Sequence, residues 1–241
     1  MIRLENVCKQ FNGQTVLHDI NLHIAPGSFT TVIGSSGSGK TTLLRLMNGL
    51  IAPDGGHIVV RGQDLATCDL VQMRRSIGYV IQEAGLFPHM TARANITYVP
   101  TLLRWPAQET ARRMDELIDM VRLEPALLDR YPHQLSGGQR QRIGIARALA
   151  ARPDLVLMDE PFGAVDEITR RALQSEIKHI QQRTGSTIVF VTHDIDEALA
   201  LGSQLIILHA GRIMAHDTPE GLLRTPPNNA SAELLQHRKK P

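Results

Sequence analysis

Eight residues, Gly34-Ser-Ser-Gly-Ser-Gly-Lys-Thr41, carry the spacing G-x-x-x-x-G-K-[ST], which suits the capture of a polyphosphate. Gly34, Gly37 and Gly39 let the backbone fold tightly and turn its N–H groups inward on phosphates, with Ser35, Ser36 and Ser38 between them. Lys40 is placed to reach β- and γ-phosphates, and the Thr41 hydroxyl to ligate Mg²⁺. A glycine-rich turn matching by chance is the alternative. The flanks argue against it: an apolar run over residues 29–33 leads in as a buried strand would, and residues 42–47, opened by Thr42, lead out with helical spacing. Two carboxylates, Asp159-Glu160, follow the apolar run 155–158, where they suit a metal-binding aspartate beside a general base. His193 closes the run 187–191, and an imidazole there can donate to a phosphate oxygen. Ser136-Gly137-Gly138-Gln139 precedes a helical stretch over residues 140–150. Its hydroxyl and unhindered N–H groups allow either a second anion site or an ordinary helix cap. Lacking a lysine and a preceding apolar strand, it is not another phosphate loop.

These groups need rigid elements to hold them. Strands are predicted over residues 2–11, 15–24, 29–33, 57–61 and 76–81, the last ending at Gln82, and then over 155–158 and 187–191. Residues 205–208 and 212–215 read as a hairpin turning at Ala210-Gly211. Helices are predicted over 42–47, 140–150, 167–183 and 196–201, with a short one opening at Pro219. Strands alternating with helices give an α/β class. Between about Glu83 and Arg147 the character is helical: Ala107, Ala111, Met114, Leu117, Ile118 and Val121 fall on one face, and Pro106 suits that helix's first turn. Before this insertion, Gly85-Leu86-Phe87-Pro88 is apolar where a polar loop is expected. It serves either as an anchor to the insertion's own core or as part of an exposed groove for a partner's helix. Phe11 precedes an Asn-Gly turn, and core packing is one reading of it. From Thr225 the Pro/Asn-rich tail, ending in Arg238-Lys-Lys240, is expected to be solvated and mobile.

Composition sets outer bounds. Over 241 residues the net charge is +2 with the signs interspersed, which argues against a nucleic-acid partner. Cys8 and Cys68 are far apart, without metal-ligand spacing, and read as free thiols in a reducing compartment. The first residues lack the apolar core of a signal peptide, and no run of about 18 apolar residues exists to span a membrane. The expectation is a cytoplasmic protein whose membrane role, if any, comes through a partner.

The phosphate loop, a glutamine after a strand, Leu135-Ser-Gly-Gly-Gln139, Asp159-Glu160 and His193 occur in one order. That set resembles the ATP-binding cassette (ABC) ATPases over nearly the whole chain. The resemblance implies a P-loop NTPase fold: a RecA-like core with an antiparallel β subdomain (residues 1–86 and 147–224), an inserted helical subdomain at about 87–146, and a tail at 225–241. It implies ATP and Mg²⁺ as ligands. Phe11 looks like the aromatic that stacks on adenine, Gln82 like the lid glutamine that reaches Mg²⁺ and the attacking water, and Asp159 like the metal-binding aspartate. Glu160 would polarise the water and His193 would sense the γ-phosphate. Ser136 to Gln139 would face a neighbour's nucleotide across a head-to-tail homodimer, with residues 163–166 joining the two sites. Residues 79–90, Asn95-Ile96, Val99-Pro100, Trp105 and residues 130–134 are similar to the branch that imports glycine betaine, choline or carnitine. Glu167 departs from it, since many relatives have proline there. This likeness implies transmembrane permease subunits, indirectly a solute-binding protein, and a place on the inner face of the cell membrane. An amino-acid importer and a soluble ABC protein acting on ribosomes or DNA are the alternatives.

Overall fold

The computed structural model describes residues 1–82, 84–163 and 165–236; Glu83, Ala164 and the 237–241 end, with Arg238-Lys-Lys240, lie outside the described residues. Elements follow in chain order as β1 (Ile2–Phe11), β2 (Gln14–Ile24), β3 (Phe29–Ile33), α1 (Lys40–Met47), β4 (Gly55–Val60), β5 (Gln63–Asp64), α2 (Leu70–Arg75) and β6 (Ile77–Val80). The helical stretch holds α3 (Ala92–Leu102), α4 (Ala107–Met120) and α5 (Gly137–Leu149). Then come β7 (Leu155–Asp159), α6 (Glu167–Thr184), β8 (Thr187–Val191), α7 (Ile195–Leu201), β9 (Gln204–His209), β10 (Arg212–Asp217), α8 (Pro219–Arg224) and α9 (Asn229–Gln236). The chain forms two compact units, Met1–Arg74 with Thr187–Pro241, and Arg75–Ser186. Among the described residues no helix is long and apolar enough to cross a membrane.

In the first unit, alternation along β1 buries Ile2 and Leu4. It pairs antiparallel with β2 and β4 in a sheet of order β2-β1-β4-β5. By contrast β3 and β8 are apolar without alternation and buried at every residue, as parallel strands covered on both faces are. β8 and β9 flank β3 in parallel, and β10 returns antiparallel on β9. Val32 pairs with Val191, so Gly34 and His193 each stand two residues beyond the same register line.

The tail departs from expectation. Asn228 donates from Nδ2 to the Met214 carbonyl (3.0 Å) and accepts from the Ser231 N–H (2.8 Å), which starts α9 instead of leaving a solvated strand. Leu235 then enters the cluster formed by Ile33, Leu205, Ile207 and Leu222. Burying that leucine offsets the entropy of ordering the segment.

In the second unit, β6 and β7 run parallel in register from Ile77↔Leu155 to Val80↔Met158. α5 is the central helix of this unit and buries Ile143, Ala146 and Leu149. Its C-terminal carbonyls are covered by Arg113 of α4, whose Nη2 donates to Leu149 (2.8 Å) and Nε to Ala150 (3.3 Å) while Nη1 binds Glu116. The apolar stripe of α4 is shorter than its spacing predicts: Met114, Leu117, Ile118 and Val121 are buried, but Ala107 and Ala111 are exposed. Pro106 is the cap before that helix, not part of its first turn.

Leu235→Ala tests the docked tail. The cavity should cost about 2–5 kcal/mol, read as a lower urea midpoint with unchanged m-value; a solvated tail would give no shift.

Candidate functional site

Two of the phosphate loop's glycines sit where a side chain would be excluded, Gly34 by a backbone oxygen and Gly39 chiefly by its positive φ. A Cβ on Gly34 would lie 2.1 Å from the Leu208 carbonyl oxygen, and one on Gly39, at φ +102°, would lie 2.7 Å from Leu17 Cδ2. Gly37 differs from both. It lies at the exposed tip of the loop with Ser35 and Ser36, and a Cβ there would meet nothing within 4 Å. The expectation of a tight fold therefore holds at Gly37 only through its left-handed φ of +78°, since no neighbour crowds it. Ser38 N–H donates to Ser35 O (3.2 Å), which closes the turn over Gly37, and Gly211 N–H donates to Ser38 O (3.1 Å), tying the loop to the β9–β10 hairpin. Lys40 is buried, and its Nζ donates to the Gly34 (2.9 Å) and Ser35 (3.0 Å) carbonyls. The ammonium is thus held by the loop it serves.

Two observations fit this loop to an anion. α1 starts from Gly39 with no side-chain cap and no acidic residue in its first turn, whereas Ser136, Asp166, Asp194 and Thr218 cap α5, α6, α7 and α8. The N-cap residue of α1, a glycine, thus offers no side chain to the first N–H groups of the helix. Ser38 Oγ is buried without a hydrogen-bond partner among the described residues, and a phosphate oxygen would satisfy it. Phe11 is not a core residue: it is 44% exposed, with Lys9 Nζ 5.3 Å from its ring centroid. His193 is also exposed. The turn around it is rigid, because Thr192 N–H donates to Val32 O (3.1 Å), Thr192 Oγ1 donates to Glu197 (2.6 Å), and Asp194 caps α7.

The second unit gathers Gln82, Asp159 and Glu160. Gln82 and Glu160 each lie two residues beyond the last register pair, Val80↔Met158, so the two parallel strands deliver them together. Asp159 ends β7 and is buried. Glu160 takes φ +44°, a left-handed turn that costs a non-glycine residue about 1–2 kcal/mol. Its carbonyl accepts from Gly163 N–H (3.3 Å). The Gln82 amide nitrogen lies 3.9 Å from where a Cβ on Gly163 would stand, so the glutamine faces the turn that leaves Glu160. Of the loop at 163–166, Ala164 lies outside the described residues.

Ser136 forms a reciprocal capping box. Its Oγ accepts from Gln139 N–H (3.2 Å), and Gln139 Oε1 accepts from Ser136 N–H (2.9 Å). The helix-cap reading is therefore realised within the chain, and both residues hold each other at an exposed helix end. A Cβ on Gly138 would meet Thr169 Cγ2 at 2.8 Å. Thr169 in turn gives its N–H (2.9 Å) and hydroxyl (2.7 Å) to Asp166, and those bonds hold the Asp166 carboxyl below the usual carboxylate range. Phe87 is half-buried, 4.8 Å from Tyr98 and 5.5 Å from the Arg147 guanidinium, so it has packing of its own as an anchor would. Thr169 and Arg147 are the residues that sequence reasoning passed over; neither type carries a motif, and only the contact reveals them.

Among the described residues, no group of three or more His, Cys, Asp and Glu could hold a metal on its own. This donor set fits Mg²⁺ only as that ion is usually bound, through substrate phosphates with one or two protein groups. In the second unit Gln82 and Asp159 carry such oxygen atoms, and in the first unit Thr41 carries one.

A protein-family model described as ABC transporter matches residues 17–163. The choline transport ATP-binding protein OpuBA of Bacillus subtilis (strain 168) is 51% identical over 236 residues, which is 98% of this chain and 62% of that protein. The glycine betaine uptake system ATP-binding protein YehX of Escherichia coli (strain K12) is 47% identical over 229 residues, 95% of this chain and 74% of its own length. The chain thus spans 62% of the length of the first of these relatives. Among solved structures, the dimeric post-hydrolysis state of the ATP-binding cassette MJ0796 bound to ADP and Pi matches with a TM-score of 0.82 at 34% identity, covering 91% of this chain and 99% of that one.

Lys40→Met removes a charged donor of the kind worth about 1.5–3 kcal/mol. Affinity for a fluorescent nucleoside triphosphate should fall roughly ten- to hundredfold, by titration of the isolated protein. Unchanged affinity would remove Lys40 from the phosphate site.

Proposed function

The chain belongs to the ABC transporter family, and from that premise we propose that it is the ATP-hydrolysing subunit of an importer for a quaternary-amine osmoprotectant of the glycine betaine, choline or carnitine type. Its α/β fold is that of the family's cassettes. The observation that carries the enzymatic part is the uncapped start of α1 together with the buried Lys40. A charged donor and a helix N-terminus then act on the same phosphates, in a reaction whose catalysis is mostly positioning and electrostatics. The solute class is supported by the names of relatives that are 47% and 51% identical. The solute itself would never touch this chain.

In this reading Gly34 to Thr42 bind the phosphates of ATP, Phe11 stacks on the adenine, and Mg²⁺ is held by Thr41, Gln82 and Asp159. Gly37 serves there through its backbone alone. Glu160 takes a proton from the attacking water, and His193 donates to the γ-phosphate. Ser136 to Gln139 serve the nucleotide of a second copy in a head-to-tail dimer, since that exposed helix end adds donors the phosphate loop lacks. The cassette comprises the core at 1–86 and 147–224 with a helical subdomain at about 87–146. It works on the inner face of the membrane through permease subunits, with a solute-binding protein delivering the cargo. An importer of amino acids or other small solutes is the alternative.

Glu160→Gln keeps size and hydrogen bonding but removes the base, so ATP turnover should fall by about 10²-fold or more. ATP binding should persist, and a dimer should become visible by size-exclusion chromatography in ATP. Wild-type turnover in this variant would sink the assignment of Glu160. Co-purified with its membrane partners in vesicles, the wild-type chain should drive uptake of labelled choline or glycine betaine; uptake of amino acids alone would move the substrate to the alternative class.

A further inference from the structure

Arg147 has no role in the chemistry above, yet its surroundings are unusual for an arginine. Its Nη1 donates to the Gly85 carbonyl (2.9 Å) and its Nη2 to the Ala84 carbonyl (2.9 Å), while the guanidinium carbon lies 5.5 Å from the Phe87 ring centroid. Among the described residues no carboxylate pairs with it, and burial pushes its pKa below the ordinary arginine range. The two carbonyls it grips belong to a strained turn. Ala84 (φ +61°) and Gly85 (φ +50°) are both left-handed, and Ala84 is only 1% exposed.

That turn is clamped from several sides. A Cβ on Gly85, at φ +50°, would lie 2.2 Å from Ile81 Cδ1, so a side chain there would be strained and would have to displace Ile81. Gly144, one turn before Arg147 on α5, leaves space for Ala84, whose Cβ would be 3.1 Å from one added at 144. Ala84 N–H donates to Ile81 O (3.2 Å), and Phe87 N–H donates to Asn95 Oδ1 (2.8 Å). Gln82 stands two residues before Ala84, with its amide against the turn that leaves Glu160.

We propose that Arg147 is a positioning residue for hydrolysis: its fork holds the Ala84–Gly85 turn and thereby sets where Gln82 stands beside the Glu160 turn. A planar fork of two donors matches two neighbouring carbonyls, and the point charge of a lysine does not. The placement also gives α5 a second purpose. It begins at Ser136 and holds Arg147 in its last turn, so one rigid rod of about 20 Å joins the exposed serine end to the glutamine turn. Movement of the serine end, when a second cassette arrives, is delivered to Gln82 through the guanidinium.

This inference rests on the ATPase reading, and the experiment separates the two. Wild type, Arg147→Lys, Arg147→Met, Gln82→Ala and the Gln82→Ala/Arg147→Lys double variant are compared as full chains. The measurements are hydrogen exchange at the amides of Ala84 and Phe87, ATPase kcat and KM, and binding of a fluorescent ATP analogue. With the pin broken, exchange at both amides should speed up at least about tenfold, and kcat should fall at least about tenfold. KM and analogue affinity should stay within about twofold, because the phosphate loop is untouched. The double variant should turn over no more slowly than Gln82→Ala alone, since both changes disable one device. The Lys variant carries the test if the Met variant does not fold. Unchanged exchange, or independent and additive losses in kcat, would overturn the positioning role. A wild-type chain that binds the analogue but hydrolyses no ATP would overturn the ATPase reading instead, while exchange still reports the pin.

Discussion

The geometry of the first unit depends on keeping one helix N-terminus uncapped at the end of a strand that is buried on both faces. Backbone N–H groups there must be served by a ligand, by water or by a side chain. Helices α5 to α8 each use a side chain, and α1 does not. The requirement explains residues that otherwise look unrelated. Gly34 lets the chain leave β3 against the Leu208 carbonyl, and Gly39 enters the helix at a φ that only glycine adopts at ease. The Gly211 bond to Ser38 ties the loop to the β9–β10 hairpin. Lys40 then supplies a positive charge at the loop, where the Gly34 and Ser35 carbonyls accept from its ammonium.

The second unit solves a different problem, fixing irregular backbone around one central helix, and it does so with arginines aimed at carbonyls. Arg113 covers the C-terminal carbonyls of α5, Arg140 donates to Leu135 O (2.6 Å), Arg142 reaches Val121 O, and Arg147 grips Ala84 and Gly85. An arginine carries five donors in a planar fork and stays charged when half-buried, so one side chain can hold two turns of main chain together. Apolar packing alone would bury this helix; it would not fix the register of the loops that meet it.

How much was legible beforehand follows the same division. Strands β1, β3 and β8 match the predicted runs to the residue, because alternation and unbroken apolar runs are properties of the chain itself. The phosphate loop stood out because its residue types are rare at that spacing, whereas the Asp159-Glu160 pair, common by itself, drew notice only because it follows an apolar run downstream of that loop. The spacing does not say why each glycine is there: Gly34 and Gly39 answer to crowding by distant residues, Gly37 only to its own backbone angle. α3 was not legible, since Pro100 interrupts its pattern near the end, and Thr91 and Asn95 supply the bonds that start it. α9 was not either: its only strong apolar signal, Leu234 and Leu235, gains meaning from a cluster whose other members lie far away in sequence. Thr169 and Arg147 belong with these. Their roles arise from contacts with Gly138 and with the Ala84 and Gly85 carbonyls, and no local spacing encodes such a contact.

In the proposed reading, backbone conformation divides labour between the two adjacent carboxylates. Had the strand continued past Asp159, Glu160 would alternate to the opposite face and could not serve the same reaction. The left-handed turn at Glu160 breaks that alternation immediately after a residue still in the ladder. Asp159 stays buried in the strand, as would suit a cation ligand in the proposed reading, while Glu160 is more open, with its carbonyl accepting from Gly163 N–H. A base must reach water and a metal ligand must not be displaced by it. In the proposed reading, the left-handed φ at Glu160 would separate the two duties within a single dipeptide, with Gln82 delivered to the same turn by the neighbouring parallel strand.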